Sequence, residues 1–351
     1  MPIRSPIVDP VAALERIAFL LEESGAPTYR VRAFRGALAA AQQLDPAELV
    51  ARATSGRLRE LKGVGETTER VISEALAGRT PAYLERLESD ATEASAPRTG
   101  PGAEIRALLK GDCHTHSNWS DGGSAIADMA RTARDLGHDY VALTDHSPRL
   151  TVANGLSRER LLHQLDVVAE LNEELQPFRV LTGIEVDINE DGTLDQDADV
   201  LAGLDVVVAS VHSKLRMDSQ PMTERMVLAV ADPNVDILGH CTGRLLAGRG
   251  RPESTFDAEL VFTACAKFDT AVEINCRPER LDPPKRLLRI AVESGCRVSI
   301  DTDAHAPGQL SWQRYGCARA AECEVPAESI VNAWAADDLL AWTGSHGSQS
   351  R

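Results

Sequence analysis

Apolar residues recur at helical spacing through residues 11–89, and beyond about residue 109 the pattern changes to short apolar runs separated by amphipathic stretches. VAALERIAFLLEESG predicts a helix that stops at Gly25, and YRVRAFRGALAAAQQL and PAELVARATSG predict two more. LRELKGVGETTERVISEALAGRT reads as a helix, a tight turn at Gly63-Val64-Gly65 and a second helix ending near Gly78. SDATEASAPRTGPGAE has no periodicity and the small-residue composition of a linker. Further on, YVALTD, RVLTGIEV, DVVVASVH, VDILGHC, TAVEINC and RVSIDTD are strand-like, and stretches such as SRERLLHQLDVVAELNEEL and PPKRLLRIAVESG between them are helical. The expected organisation is an all-α domain over residues 1–89, a linker over 90–105, an α/β domain over 106–342 and a disordered tail over 343–351. Repeated β-α units imply a parallel, barrel-like sheet.

Composition narrows the class. No apolar run in the 351 residues approaches membrane-spanning length, and MPIRSPIVDP lacks an apolar signal segment. The seven cysteines form no CxxC pair, which fits reduced, buried thiols in a cytoplasmic protein. The net charge of −16 is uneven, with 12 Arg and Lys against 13 Asp and Glu in residues 1–90 and 25 against 40 in the remainder. An acidic barrel excludes broad electrostatic binding of nucleic acid unless cations offset its charge.

The chemistry gathers at strand ends. His114, His116 and Asp121 lie in GDCHTHSNWSDG, His146 in VALTDHS, Glu185 in VLTGIEVD, His212 in VVVASVHS, His240 in DILGHCTG, and Asp303 with His305 in VSIDTDAH. Imidazole and carboxylate are the ligands of Zn, Mn and Fe(II), and nine such groups exceed the needs of one ion. Strand alternation puts His114 and His116 on one face and Cys113 with Thr115 on the other, so Cys113 is read as packing. His346, in the tail, is set apart from the site.

In these residues the chain resembles the PHP (polymerase and histidinol phosphatase) family over about residues 108–342, through HTHxxxSDG, TDHS, GxE, SVH, GH and DTDAH in family order. The resemblance implies a distorted (β/α)7 barrel holding two to three divalent ions (Mn2+, Zn2+ or Fe2+). It implies that His114, His116, Glu185 and Asp303 hold a first ion and that Glu185 bridges to a second with His212 and His240. Asp121, His146 and His305 are then left for a third, with Glu185, Asp303 and His305 at the catalytic centre. Asp121 stands where some stand-alone phosphatases of the family have His, which points to the polymerase-associated branch. The implied reaction is phosphoester hydrolysis by a metal-activated hydroxide. Lys214, Arg244, Arg277 and Arg280 are candidate phosphate contacts, Arg244 foremost because GHCTGRLL resembles a GHPTGRLL-like segment of that branch.

Residues 11–89 resemble the small N-terminal domain of family X DNA polymerases, with LKGVG as a helix-hairpin-helix signature. Gly63, Val64 and Gly65, with Arg30, Arg32 and Arg35, are therefore candidate DNA contacts. Only a linker separates this domain from the barrel, so no palm is present and polymerase activity is not expected. Val71 occupies the position of the lyase lysine, with Thr67 and Arg70 nearby and Lys62 the domain's only lysine, so lyase activity is not expected either. Two enzymatic readings stay open: a phosphoesterase on DNA ends (3′–5′ exonuclease or 3′-phosphatase), and a small-molecule phosphomonoesterase of histidinol-phosphatase type. A non-enzymatic DNA-binding scaffold is disfavoured by the intact ligand set.

Overall fold

The computed structural model describes residues 9–94 and 100–346, and the chain divides into two compact units, Met1–Ala96 and Pro97–Arg351. The first unit is all helical: α1 (Pro10–Glu23), α2 (Thr28–Gln42), α3 (Pro46–Thr54), α4 (Glu66–Leu76) and α5 (Ala82–Ala94). α1 and α3 both begin at Asp-Pro, where the aspartate side chain accepts a backbone N–H (Ala12 N to Asp9 Oδ2, 2.9 Å; Ala47 N to Asp45 Oδ1, 2.8 Å) and proline supplies a preset φ. Leu14, Ile17, Ala18 and Leu21 of α1 pack with Phe34, Ala37 and Leu38 of α2 and Val71, Ile72 and Ala75 of α4. The expected LREL helix is only a 3-10 turn at Leu58–Glu60, because left-handed Gly56 and Gly63 bracket too few residues for a longer helix. Gly63 (φ 98°) is required twice over, since a Cβ there would meet the Gly36 carbonyl oxygen of α2 at 2.7 Å.

Residues 90–105 are not irregular throughout. α5 continues to Ala94, and α6 (Pro101–Leu108) starts at a Gly-Pro step that places proline in the first helical turn; residues 95–99 lie outside the described set. α6 packs on a later helix of its own unit, with Gly102 so close that a Cβ would lie 3.0 Å from the Ala318 Cα.

The second unit is a seven-stranded sheet, all parallel, in the order β1 (Gly111–Thr115), β2 (Tyr140–Leu143), β3 (Arg179–Asp187), β4 (Val206–Ser210), β5 (Ile237–Leu238), β6 (Ala271–Asn275) and β7 (Val298–Asp301). A parallel bridge between Thr115 and Ala304 brings the two edges together, making a nearly closed (β/α)7 barrel. Around the sheet lie α7 (Ile126–Asp135), α8 (Arg158–Leu175), α9 (Ala198–Leu201), α10 (Ser219–Val230), α11 (Ala258–Phe268), α12 (Lys285–Glu293) and α13 (Gln313–Glu322). Ile184, Val186, Val207, Ala209 and Val272 face this helical layer, packing with Met222, Met226, Val261 and Phe262. Ala142, Leu181, Val208, Ile237 and Ala271 fill the interior with Cys113. Cys113 thus faces inward like the histidines beside it. The β1–β2 register shifts between Asp112 and Thr115, and this irregularity breaks the simple alternation expected for His-x-His.

The expected disordered tail is a helix as far as it is described: α14 (Ala336–His346) seats Leu339 and Trp342 against the interior cluster. His346 is buried, with Nδ1 2.9 Å from Asp236 Oδ1, and Trp342 Nε1 donates to Asp269 Oδ2 at 3.0 Å. Residues 347–351 lie outside the described set. Among the described residues no helix is long and apolar enough to cross a membrane.

His138, at the turn into β2, gives a pH test of the fold. Burial, and then the Arg106 guanidinium whose Nη2 lies 2.8 Å from its Nε2, push its pKa down to about 3. A base whose folded pKa lies below its unfolded value, about 6.5, costs no stability above pH 6.5 and progressively more as pH falls towards 3. In chelator, His138→Gln should therefore lose about 2 kcal/mol less than the parent between pH 6.5 and 5 in urea unfolding. Parallel pH profiles would show that His138 does not titrate as its surroundings require.

Candidate metal centre

Each side chain of the site sits at the C-terminal end of a strand or in the loop that follows it. His114 and Glu185 belong to β1 and β3; His116, His146, His212, His240 and Asp303 with His305 follow β1, β2, β4, β5 and β7. Gly239 lets β5 end close to its neighbour, since a Cβ there would meet Ser210 Oγ at 2.3 Å. Asp303 holds a left-handed φ of 52°, and its carbonyl accepts from Arg277 Nη1 at 2.9 Å, so a strained residue aims two candidate ligands.

Glu185 is the centre of the arrangement. Its Oε2 lies 2.8 Å from His146 Nδ1, 3.4 Å from His114 Nε2 and 3.6 Å from His116 Nε2. Its Oε1 lies 2.9 Å from His240 Nε2 and 3.3 Å from His212 Nε2. Asp303 Oδ1 is 3.4 Å from His116 Nε2, while Asp121 Oδ1 stands 3.2 Å from His305 Nε2 and 3.5 Å from His146 Nε2. All nine groups expected at the site are thus brought together. Three sets have ligand atoms mutually within 4.8 Å and could each hold an ion: His116 with Asp121, His146 and His305; His114 with His116 and Glu185; and His146 with Glu185 and His212. His116, His146 and Glu185 each belong to two sets, the pattern of a multinuclear centre.

The fit to divalent ions rests on atoms otherwise left without partners. His114 Nε2, both ring nitrogens of His116, His146 Nδ1 and Glu185 Oε2 are buried and make no aligned hydrogen bond, His146 Nδ1 and Glu185 Oε2 merely standing 2.8 Å apart. Each such group costs about 1–3 kcal/mol if nothing satisfies it. Acceptors converging from separate strands suit a cation.

The charge pattern agrees. Burial disfavours ionisation of Glu185, but His114, His146 and His212 outweigh it and hold the carboxyl well below its ordinary value. Burial also opposes charge on His114 and His212, yet Glu185, with Glu273 for the former and Asp187 for the latter, raises both, His212 to about 9. His116 goes well below its ordinary value through burial and the neighbouring His305 and His146. The site therefore presents a buried anionic carboxylate beside a neutral imidazole.

The four candidate cations separate. Arg244 Nε donates to the Arg280 carbonyl at 2.8 Å and its Nη2 to the Leu281 carbonyl, so the favoured phosphate contact instead braces the loop after β6. Arg277 reaches Glu279 at 2.9 Å and the backbone of Asp303. Arg280 is 3.6 Å from Asp303 Oδ2 and has a buried Nε without a hydrogen-bond partner, and Lys214 is exposed with φ 53°.

Two polar side chains of the site were not anticipated. Glu273 and Asn275 stand on β6 beneath the ligand cluster, where Glu273 Oε1 lies 2.6 Å from His114 Nδ1. The alternation within TAVEINC, which puts both on one face, was the available signal.

Residues 112–276 match the PHP domain family model. The chain is 40% identical over 234 residues, 67% of its length, to the DNA polymerase/3′-5′ exonuclease PolX of Bacillus subtilis, of which it spans only 41%. It is 30% identical over 205 residues, 55% of its length and 78% of the other's, to a protein of Thermoanaerobacter named "Probable phosphatase". A crystal structure of histidinol phosphate phosphatase from Lactococcus lactis, with Zn, L-histidinol and phosphate, aligns over 61% of this chain and 92% of that one at 19% identity and a TM-score of 0.43. With its matched strands and its cluster of imidazoles and carboxylates, the chain belongs to the PHP family and is a metal-dependent phosphoesterase.

Proposed function

We propose that this phosphoesterase acts on DNA ends, as a 3′–5′ exonuclease or 3′-phosphatase. The observation that carries this reading is the hairpin unit on the same chain as the barrel. Gly63-Val64-Gly65 leads directly into α4, whose first N–H groups have no intrahelical acceptors and are placed to meet a phosphate. The likeness to the Bacillus polymerase/exonuclease supports it.

The contacts expected of that unit are modest. Arg35 is bound to buried Glu22 by two bonds of 2.7 Å, and Arg30 donates to the Tyr83 hydroxyl at 2.6 Å, so neither guanidinium is wholly available for phosphate. Exposed Arg32 remains, while Glu66 and Glu69 occupy the first turn of α4. Binding should be weak and salt-sensitive.

In the barrel, we assign His114, His116, Asp121, His146, Glu185, His212, His240, Asp303 and His305 as the ligands of two to three divalent ions. Such ions supply a water deprotonated near neutral pH and positive charge opposite the phosphate oxygens. Glu185, a member of two of the three sets, would be shared between neighbouring ions. Asp121 and His305 form the open edge of the cluster, at 37% and 19% side-chain exposure, where a phosphate enters. Arg280, whose Nε makes no hydrogen bond and lies 3.6 Å from Asp303 Oδ2, is the candidate donor for one of the phosphate oxygens.

The second reading, a small-molecule phosphomonoesterase, is favoured by the acidity of residues 91–351, with 25 Arg and Lys against 40 Asp and Glu. A panel of single-stranded DNA, 3′-phosphorylated ends and histidinol phosphate, each with Mn and Zn, separates the two. A chain starting at Pro97, ahead of α6, should hydrolyse a chromogenic phosphoester about as fast as the full chain. On DNA it should be slower, through a raised KM, because only binding of the polymer is lost. Equal rates of both on DNA across concentration and salt would transfer the assignment to the small-molecule phosphatase.

A further inference from the structure

Among the described strands, β6 is the one that neither holds a member of the ligand set nor leads directly into one, yet its two inward polar side chains touch three of that set. Glu273 and Asn275 are fully buried. Glu273 Oε1 lies 2.6 Å from His114 Nδ1, and Oε2 accepts the backbone N–H of His240 at 2.5 Å and Asn275 Nδ2 at 3.3 Å. Asn275 Nδ2 also donates to Asp303 Oδ2 at 3.1 Å. Both oxygens of Glu273 are thus committed to N–H groups, which leaves it unsuited to ligate an ion.

We infer that Glu273 is a positioning residue of the metal centre. By accepting the Nδ1 proton of His114 it fixes that ring in the tautomer whose bare Nε2 faces Glu185, and through the His240 amide it sets a second ligand. Asn275 extends the same support to Asp303. The inference rests on the ligand assignment for His114.

Two observations and one general principle carry it. His114 Nε2 is buried, makes no hydrogen bond and lies 3.4 Å from Glu185 Oε2, as a nitrogen kept bare for a cation would. Nδ1, on the opposite side of the ring, has a short bond to a carboxylate. A carboxylate on the far nitrogen of a ligating imidazole orients the ring and raises its basicity, and its loss weakens metal affinity by about 10–100-fold. Glutamine at position 273 would offer an N–H or a weaker acceptor to Nδ1, and so would permit the tautomer with its proton on Nε2.

The test joins metal affinity to a direct view of the proton. Long-range 1H–15N spectra of the full chain labelled with 15N-histidine and loaded with Zn should show His114 with its proton on Nδ1 and none on Nε2, assigned by the signal missing from His114→Asn. Zn affinity, from competition with a chromogenic chelator, should weaken about 10–100-fold in Glu273→Gln and less in Asn275→Ala. A parent His114 bearing its proton on Nε2 overturns the inference without any variant. So does Glu273→Gln with parental affinity, and in that case the ligand assignment survives. A parent that binds no Zn removes both.

Discussion

Glu185→Ala is expected to lower kcat/KM for phosphoester hydrolysis about 10³–10⁴-fold, and Glu185→Gln nearly as much, with the barrel still folded. Glu185 faces five imidazoles through its two oxygens and belongs to two of the three candidate ion sets. Its removal would withdraw an anionic ligand common to two candidate ion sets, which would cost several kcal/mol of transition-state stabilisation. His116→Ala should behave similarly, because His116 also belongs to two sets. Arg280→Ala removes no candidate ligand, only a proposed substrate contact and an ion pair with Asp303, and should cost about 10–100-fold. Circular dichroism of the chelated variants checks the fold. A Glu185→Ala protein with most of its activity would show that Glu185 is not a shared ligand of the ions.

Exhaustive chelation should abolish hydrolysis, by about 10³-fold or more, and readdition of Mn or Zn should restore it. Stability should move in parallel. The orphaned nitrogens of His114, His116 and His146 regain buried partners when ions bind, and ions in about 1,000-fold excess over Kd contribute about 4 kcal/mol per site. Melting temperature should fall on chelation and recover with activity. Full activity in the chelated protein would mean that hydrolysis runs on side chains alone.

The clustering of the nine candidate ligands could be read from the chain because six of them are histidines, of which the chain has only nine, and all stand near the ends of apolar runs, where parallel strands bring side chains to one face. What could not be read depended on local backbone. Cys113 turns inward because the β1–β2 register slips, which alternation does not announce. Arg244 donates to the carbonyl oxygens of Arg280 and Leu281, a long-range contact without a sequence signature. α6 was hidden by small-residue composition, although Gly100-Pro101 is a helix-start signal. His346 was masked by flanking glycine and serine, yet it stands four residues after Trp342 on α14 and meets Asp236 in the barrel. In the first unit, the charges of Arg35 and Glu22 were visible but their pairing was not, because it depends on how α1 and α2 cross.

A multinuclear metal centre is tested by elemental analysis of the full chain purified without chelators and then reconstituted with Mn or Zn. The three overlapping ligand sets predict two to three divalent ions per chain, falling by at least one in Glu185→Ala. A folded protein that retains a single ion, or none, after reconstitution would contradict it.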